Sequence, residues 1–176
     1  MKNKIQLVVG DITKLECDCI VNAANCTLLG GGGVDGAIHT AAGIGLLEEC
    51  RTLNGCHTGE AKITKGYNLK AKHVIHTVGP IYSNAPTDPQ LLSNCYYNSL
   101  ELARQHGIRS IAFPSISTGV YRYPINQAAP TALGAISRWF GENPDYGMQV
   151  ILCCYGYGAY RIYEALLANK REENHA

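Results

Sequence analysis

Four consecutive glycines, Gly30 to Gly33, are followed two residues later by an acid, Asp35. Without Cβ atoms the backbone of such a run approaches a ligand closely and takes up positive φ. The segment after it, Val34 to Ala42, reads as a helix whose free N–H groups point back at the glycines. A helix start of that kind attracts anions and suits a diphosphate. The spacing is neither G-x-G-x-x-G nor a Walker loop, since no Gly-Lys-Ser/Thr follows. A carboxylate in the first helical turn also suits the helix dipole, but that effect is worth only about 0.3–1 kcal/mol. Beside a bound diphosphate the same carboxylate is repelled. If the loop binds phosphate, Asp35 is better explained by chemistry than by capping.

Three other segments carry polar groups at or beyond the end of an expected strand. In Gly10-Asp11-Ile12-Thr13 the acid either caps the next turn or accepts from a ligand amine. In Val21-Asn22-Ala23-Ala24-Asn25 two amides stand three residues apart. They either hold sugar hydroxyls or close an Asx-turn. Pro114-Ser115-Ile116-Ser117-Thr118-Gly119-Val120-Tyr121 offers hydroxyl and backbone donors, a phosphate-binding composition, or forms an ordinary loop. Ser115 and Ser117 lack a G-x-S-x-G elbow, which argues against a serine hydrolase. His73 and His76, three apart on a strand, face opposite sides and do not share a metal; His39, in a helix, reads as structural.

These segments need a scaffold that brings strand ends together. Strands are expected at 5–9, 19–23, 61–64, 73–77, 110–113 and 149–154, and helices at 34–42, 45–53, 89–106, 124–140 and 159–169. The alternation implies parallel strands joined by crossover helices, with ligands beyond their carboxyl ends. Leu92, Cys95, Tyr96, Ser99, Leu102 and Ala103 form one helical face. Pro130 is expected to kink its helix or to mark its start.

The chain of 176 residues matches one domain, 1–176, with a core at about 5–169 and a frayed polar tail at 170–176. Its 46% hydrophobic content supplies a core. A net charge of +1 and only 16% charged residues argue against a nucleic-acid or membrane partner. Any anion must then be held by backbone N–H groups. No leader pattern follows Met1, and no run is long enough to span a bilayer, so the expected location is the cytoplasm. The eight cysteines, none in C-x-x-C spacing, read as buried or incidental thiols rather than disulfides or metal ligands.

Together, in order, Gly10 to Thr13, Val21 to Asn25, Gly30 to Ile38, Thr58-Gly59-Glu60, His76-Thr77-Val78-Gly79-Pro80 and Phe113 to Tyr123 resemble the macrodomain family. Within it, the chain resembles the bacterial MacroD-type ADP-ribosyl hydrolases. The similarity runs from about Ile5 to Tyr163. The resemblance implies a three-layer α/β/α sandwich with a mixed central sheet, and ADP-ribose as the ligand unit. It implies hydrolysis of the ester in O-acetyl-ADP-ribose and in mono-ADP-ribosylated Asp or Glu of proteins, without metal or cofactor. By position, Asp11 accepts from the adenine amine beside the Ile12 backbone. Asn25 binds the distal ribose and Asn22 shapes that turn. Gly32, Gly33 and Val34 line the diphosphate, and Ser117, Thr118, Gly119, Val120 and Tyr121 close over it. Tyr155 covers the adenine, and Asp35 matches the catalytic acid, with Asn25 orienting the ribose. The rivals are a module that binds ADP-ribose without turnover and a phosphatase for ADP-ribose 1″-phosphate. A monomer is expected. The chain departs from the pattern at Arg122, where glycine is common, at His57, where proline is common, and at Gly156-Tyr157-Gly158, where the family is often acidic.

Overall fold

Apolar segments too short for helices form the strands Lys4–Val9 (β1), Cys19–Ala24 (β2), Ala61–Lys65 (β3), His73–Val78 (β4), Ser110–Phe113 (β5) and Gln149–Cys154 (β6). The computed structural model describes residues 1–175, with side chains as far as Glu172. The strands join into one six-stranded sheet in the order β1-β6-β5-β2-β4-β3. All neighbours are parallel except β3, which runs antiparallel to β4. The central strands are nearly continuous apolar runs, as burial on both faces requires.

Helices Gly33–Ala42 (α1) and Ile44–Thr52 (α2) cover one face. Their Ile38, Leu46 and Cys50 pack with Ile20, Ala24, Val74 and Val78 of the sheet. Helices Asp88–Gln105 (α3), Ile125–Glu142 (α4) and Tyr157–His175 (α5) cover the other. There Tyr96, Trp139 and Tyr163 are buried with Val21, Ile75 and Phe113. The result is the three-layer α/β/α arrangement with a mixed sheet.

Three expectations need correction. The buried face of α3 carries Leu100 rather than Leu102, which is only half-buried. Both positions satisfy a helical period, and the sheet selects the one that points inward. Helix α4 begins at Ile125 and runs through Pro130, so the proline does not mark its start. The first turn is already closed by Gln127 and Ala128 N–H groups donating to Pro124 O. Helix α5 extends to His175, so the expected tail is helical from 170 to 175, and Ala176 lies outside the described residues. Lys170, Arg171 and Glu172 are good helix formers and sustain it.

Candidate active site

The sheet order explains why segments remote in sequence meet. Strands β1, β6, β5 and β2 are consecutive neighbours and all parallel, so their carboxyl ends open on one edge. Gly10-Asp11 follows β1, Tyr155 follows β6, the Ser115–Tyr121 loop follows β5 and Asn25 follows β2. That edge is where open α/β sheets bind ligands.

The glycine loop lies between β2 and α1. Gly32 caps α1 and Gly33 is its first residue, with φ 58° in the left-handed region. Asp35 is buried in the first turn. Its Oδ1 accepts from Asn22 Nδ2 at 2.8 Å. A Cβ built on Gly31 would lie 3.1 Å from Asp35 Oδ2 and 3.3 Å from Asn25 Nδ2. Oδ2 and the Asn25 amide therefore converge on the glycine loop.

Asn25 also ties its own loop. Its Nδ2 donates to Gly30 O at 3.0 Å, and its Oδ1 accepts from Thr27 N at 3.1 Å and Thr27 Oγ1 at 2.6 Å. The Asx-turn is thus formed, and it holds the amide at the lip of the loop. Asn22 departs from its expected place. It is fully buried in β2 and bonds to Asp35, so it stands behind the acid and does not face a sugar. Strand alternation puts it on the α1 side of the sheet with Ile20 and Ala24.

On the other side, Ser117 adopts φ 67° and Arg122 φ 63°. Tyr123 N donates to Ser117 O at 2.9 Å, Arg122 N to Gly119 O at 2.9 Å, and Tyr82 N to Tyr121 O at 2.9 Å. These bonds brace the loop from below. Ser117 is buried and its Oγ has no hydrogen-bond partner among the described residues, whereas Gly119 and Val120 are exposed, Val120 almost completely. Thr118 Oγ1 donates to Ser115 O at 2.9 Å.

At the far end, Asp11 caps the turn Ile12–Lys14, accepting from Thr13 N at 2.9 Å and Thr13 Oγ1 at 2.7 Å. The Thr13 hydroxyl and amide hold its carboxyl below the ordinary range. Both bonds use Oδ1, so Oδ2 is left for another donor. The Ile12 side chain is in the core, leaving only its backbone at this edge. Tyr155 is fully exposed just beyond β6.

Two histidines stand near the acid, His39 against it and His76 behind Asn22. His39, one helical turn after Asp35, places Nε2 3.5 Å from Asp35 Oδ1 and has no hydrogen bond there. The i, i+4 spacing on a helix is the signal that pairs them. His76 on β4 lies within hydrogen-bond distance of Asn22, with 3.1 Å between Nδ1 and Nδ2. Burial first, and then the nearby His39, push the His76 imidazole down to about 3. The Cys50 and Cys56 thiols are pushed up to about 11 by burial, which keeps them unreactive. Among the described residues, no three His, Cys, Asp or Glu side chains are grouped to share a metal ion.

Comparison with known proteins assigns this geometry. The Macro domain family model matches residues 21–132, which takes in the Asn22–Asp35 segment and the Ser117–Tyr121 loop. The chain belongs to the macro domain family. A macro domain-containing protein of Mesorhizobium japonicum is 52% identical over 97% of both chains. Rat ADP-ribose glycohydrolase MACROD1 is 55% identical over 88% of this chain, which spans only 61% of that relative's length. A glycine-to-valine variant of the Oceanobacillus iheyensis macrodomain, solved with ADPR, superposes with TM-score 0.92 at 46% identity, covering 97% of this chain and 95% of that one. The fold expected from the macrodomain resemblance is the fold observed.

Proposed function

We propose that this macrodomain binds ADP-ribose and hydrolyses the ester at its distal ribose, in O-acetyl-ADP-ribose and in mono-ADP-ribosylated Asp or Glu of proteins. The observation that carries the reading is the asymmetry of Asp35: Oδ1 is held from behind by Asn22, while Oδ2 turns to the glycine loop beside Asn25. A module that only bound ADP-ribose would gain no more than the helix-dipole effect, about 0.3–1 kcal/mol, from a buried acid next to a diphosphate cradle. The similarity to ADP-ribose glycohydrolases and to a macrodomain holding ADPR supports the same reading.

In this mechanism the first-turn N–H groups of α1, at Gly33 and Val34 with Gly32 as the cap, meet the diphosphate on one side. The Ser117–Tyr121 loop meets it on the other. Asp11 accepts from the adenine amine and Tyr155 covers the ring. Asn25 orients the distal ribose. Asp35 Oδ2 takes a proton from water as the water oxygen attacks the ester; the ester C–O bond breaks and the proton passes from Asp35 to the departing oxygen, which leaves ADP-ribose and a carboxylic acid and restores the carboxylate. General-base assistance of this kind is worth about 10²–10⁴-fold. No step draws on a metal or a cofactor. We read the chain as a single-domain, cytoplasmic monomer that needs no nucleic acid; among the described residues no helix is long and apolar enough to cross a membrane.

The test is mass spectrometry of O-acetyl-ADP-ribose turnover with wild type, Asp35→Ala and Asn25→Ala. Wild type releases ADP-ribose, and both variants lose at least about 100-fold in kcat. Full activity in both variants, or binding by wild type without turnover, overturns the reading; release of inorganic phosphate from ADP-ribose 1″-phosphate favours a phosphatase instead.

A further inference from the structure

Behind Asp35 a line of buried polar side chains crosses three strands. The parallel register of β2 and β4 sets Asn22 directly opposite His76, although they are 54 residues apart. On β3, Lys62 opposes His76, and Thr64 lies two residues further on the same face. Asn22, His76 and Thr64 are all buried.

The donors and acceptors in this line are assigned from the Asp35 end. A carboxylate only accepts, so Asn22 turns its Nδ2 to Asp35 Oδ1 at 2.8 Å. The second proton of that nitrogen goes to His76 Nδ1 at 3.1 Å, which makes Nδ1 the acceptor and leaves the imidazole proton on Nε2. Nε2 then donates to the Thr64 hydroxyl, 3.0 Å away, with Cys50 Sγ a longer neighbour at 3.8 Å. The Thr64 hydroxyl gives its own proton to Lys65 O at 3.1 Å. Turning the Asn22 amide over would set its oxygen against the Asp35 carboxylate. A protonated imidazole would reverse the preference at Nδ1, and deep burial keeps the ring neutral.

Asn22 Oδ1 is buried with no partner among the described residues, so every side-chain hydrogen bond of this amide runs through its nitrogen.

We infer that His76 and Thr64 are positioning residues for Asp35: Thr64 fixes the imidazole tautomer, the imidazole fixes the Asn22 amide, and the amide holds Oδ1 so that Oδ2 faces the cleft. The inference rests on the proposed role of Asp35. Such outer partners of reacting groups are worth about 10–100-fold when the orientation they enforce is lost.

Two side-chain amides separate the two ends of the ring. Asparagine places its terminal atoms near those of Nδ1, and glutamine reaches the position of Nε2. His76→Asn therefore keeps an acceptor for Asn22, and His76→Gln keeps only the partner of Thr64. Thr64→Val removes the tautomer lock with little change of shape. The assay measures kcat and KM for O-acetyl-ADP-ribose, ADP-ribose affinity by calorimetry, and Tm, for these variants and for Asp35→Ala. Expected are a loss in kcat of about 10–100-fold for His76→Gln and Thr64→Val, with KM and ADP-ribose affinity held, and recovery of most of kcat in His76→Asn. Nitrogen NMR of the imidazole should show protonation at Nδ1 appearing in Thr64→Val. If kcat merely follows Tm, with asparagine no better than glutamine, or if Thr64→Val keeps full kcat, the positioning role is overturned. An active Asp35→Ala would instead overturn the role of the acid, which is a distinguishable result.

Discussion

Replacing Gly31 by alanine would place a methyl group between the two side chains that the mechanism uses most. The added Cβ would sit 3.1 Å from Asp35 Oδ2 and 3.3 Å from Asn25 Nδ2, where ordinary contacts begin at 3.4 Å. The shortfalls, about 0.3 Å and about 0.1 Å, are met by small rotations of the two side chains rather than by unfolding. The backbone at Gly31 is not in the left-handed region, so alanine brings no strain there. If a misplacement of 1 Å costs about 10²-fold, a 0.3 Å shift of the carboxylate costs about fourfold in kcat, and the methyl displaces the attacking water besides. The neighbouring glycines should behave differently. A Cβ on Gly32 meets nothing within 4 Å and projects into open space where the proposed ligand lies, so Gly32→Ala should raise KM and weaken ADP-ribose binding. Gly33 holds φ 58°, so Gly33→Ala should lower stability by about 1–2 kcal/mol. Steady-state kinetics on O-acetyl-ADP-ribose, with calorimetric affinities and denaturant midpoints, separate the three signatures. A Gly31→Ala variant with unchanged kcat and raised KM would refute the placement of Oδ2 at the reacting water.

Acid stability should carry the mark of His76. Its imidazole is lowered from 6.5 to about 3, chiefly by burial and secondly by His39, 6.4 Å away between ring centroids. Between those pH values the unfolded chain binds a proton that the folded chain refuses, so stability is lost as pH falls, by about 1.4 kcal/mol per pH unit for one proton. Urea denaturation across this range should show a shallower pH slope in His76→Asn than in wild type; equal slopes would remove His76 as the cause. At Arg122 the left-handed φ of 63° strains a residue that carries a Cβ, while glycine accepts it at some cost in unfolded-state entropy. Arg122→Gly should therefore raise stability, by up to about 1 kcal/mol, measured as a shift in the denaturant midpoint; a fall would show that the arginine side chain makes contacts that outweigh the strain.

What the sequence made legible, and what it hid, divides along a physical line. The strands, the crossover helices and the glycine loop are local: periodicity and glycine placement report them directly, and the strand ends follow from the parallel topology they imply. Asp35 was legible because an acid beside a phosphate loop is electrostatically out of place. Asn22 was misplaced because a sequence shows two amides near a strand end, whereas strand alternation decides that only Asn25 reaches the edge and Asn22 turns beneath it. What His76 and Thr64 do behind Asp35 is invisible in the sequence for a stronger reason. Their bearing on Asp35 is created by the pairing of β2 with β4 and of β4 with β3, and register has no signature in residue spacing. The cleft is thus built from both sides of the sheet edge. On the proposed reading, loops that a sequence announces supply the surfaces that meet ADP-ribose, and a buried cross-strand line that only folding assembles sets the aim of the acid. On that same reading, a substitution at Thr64 would leave every motif of the family intact and still misdirect Asp35.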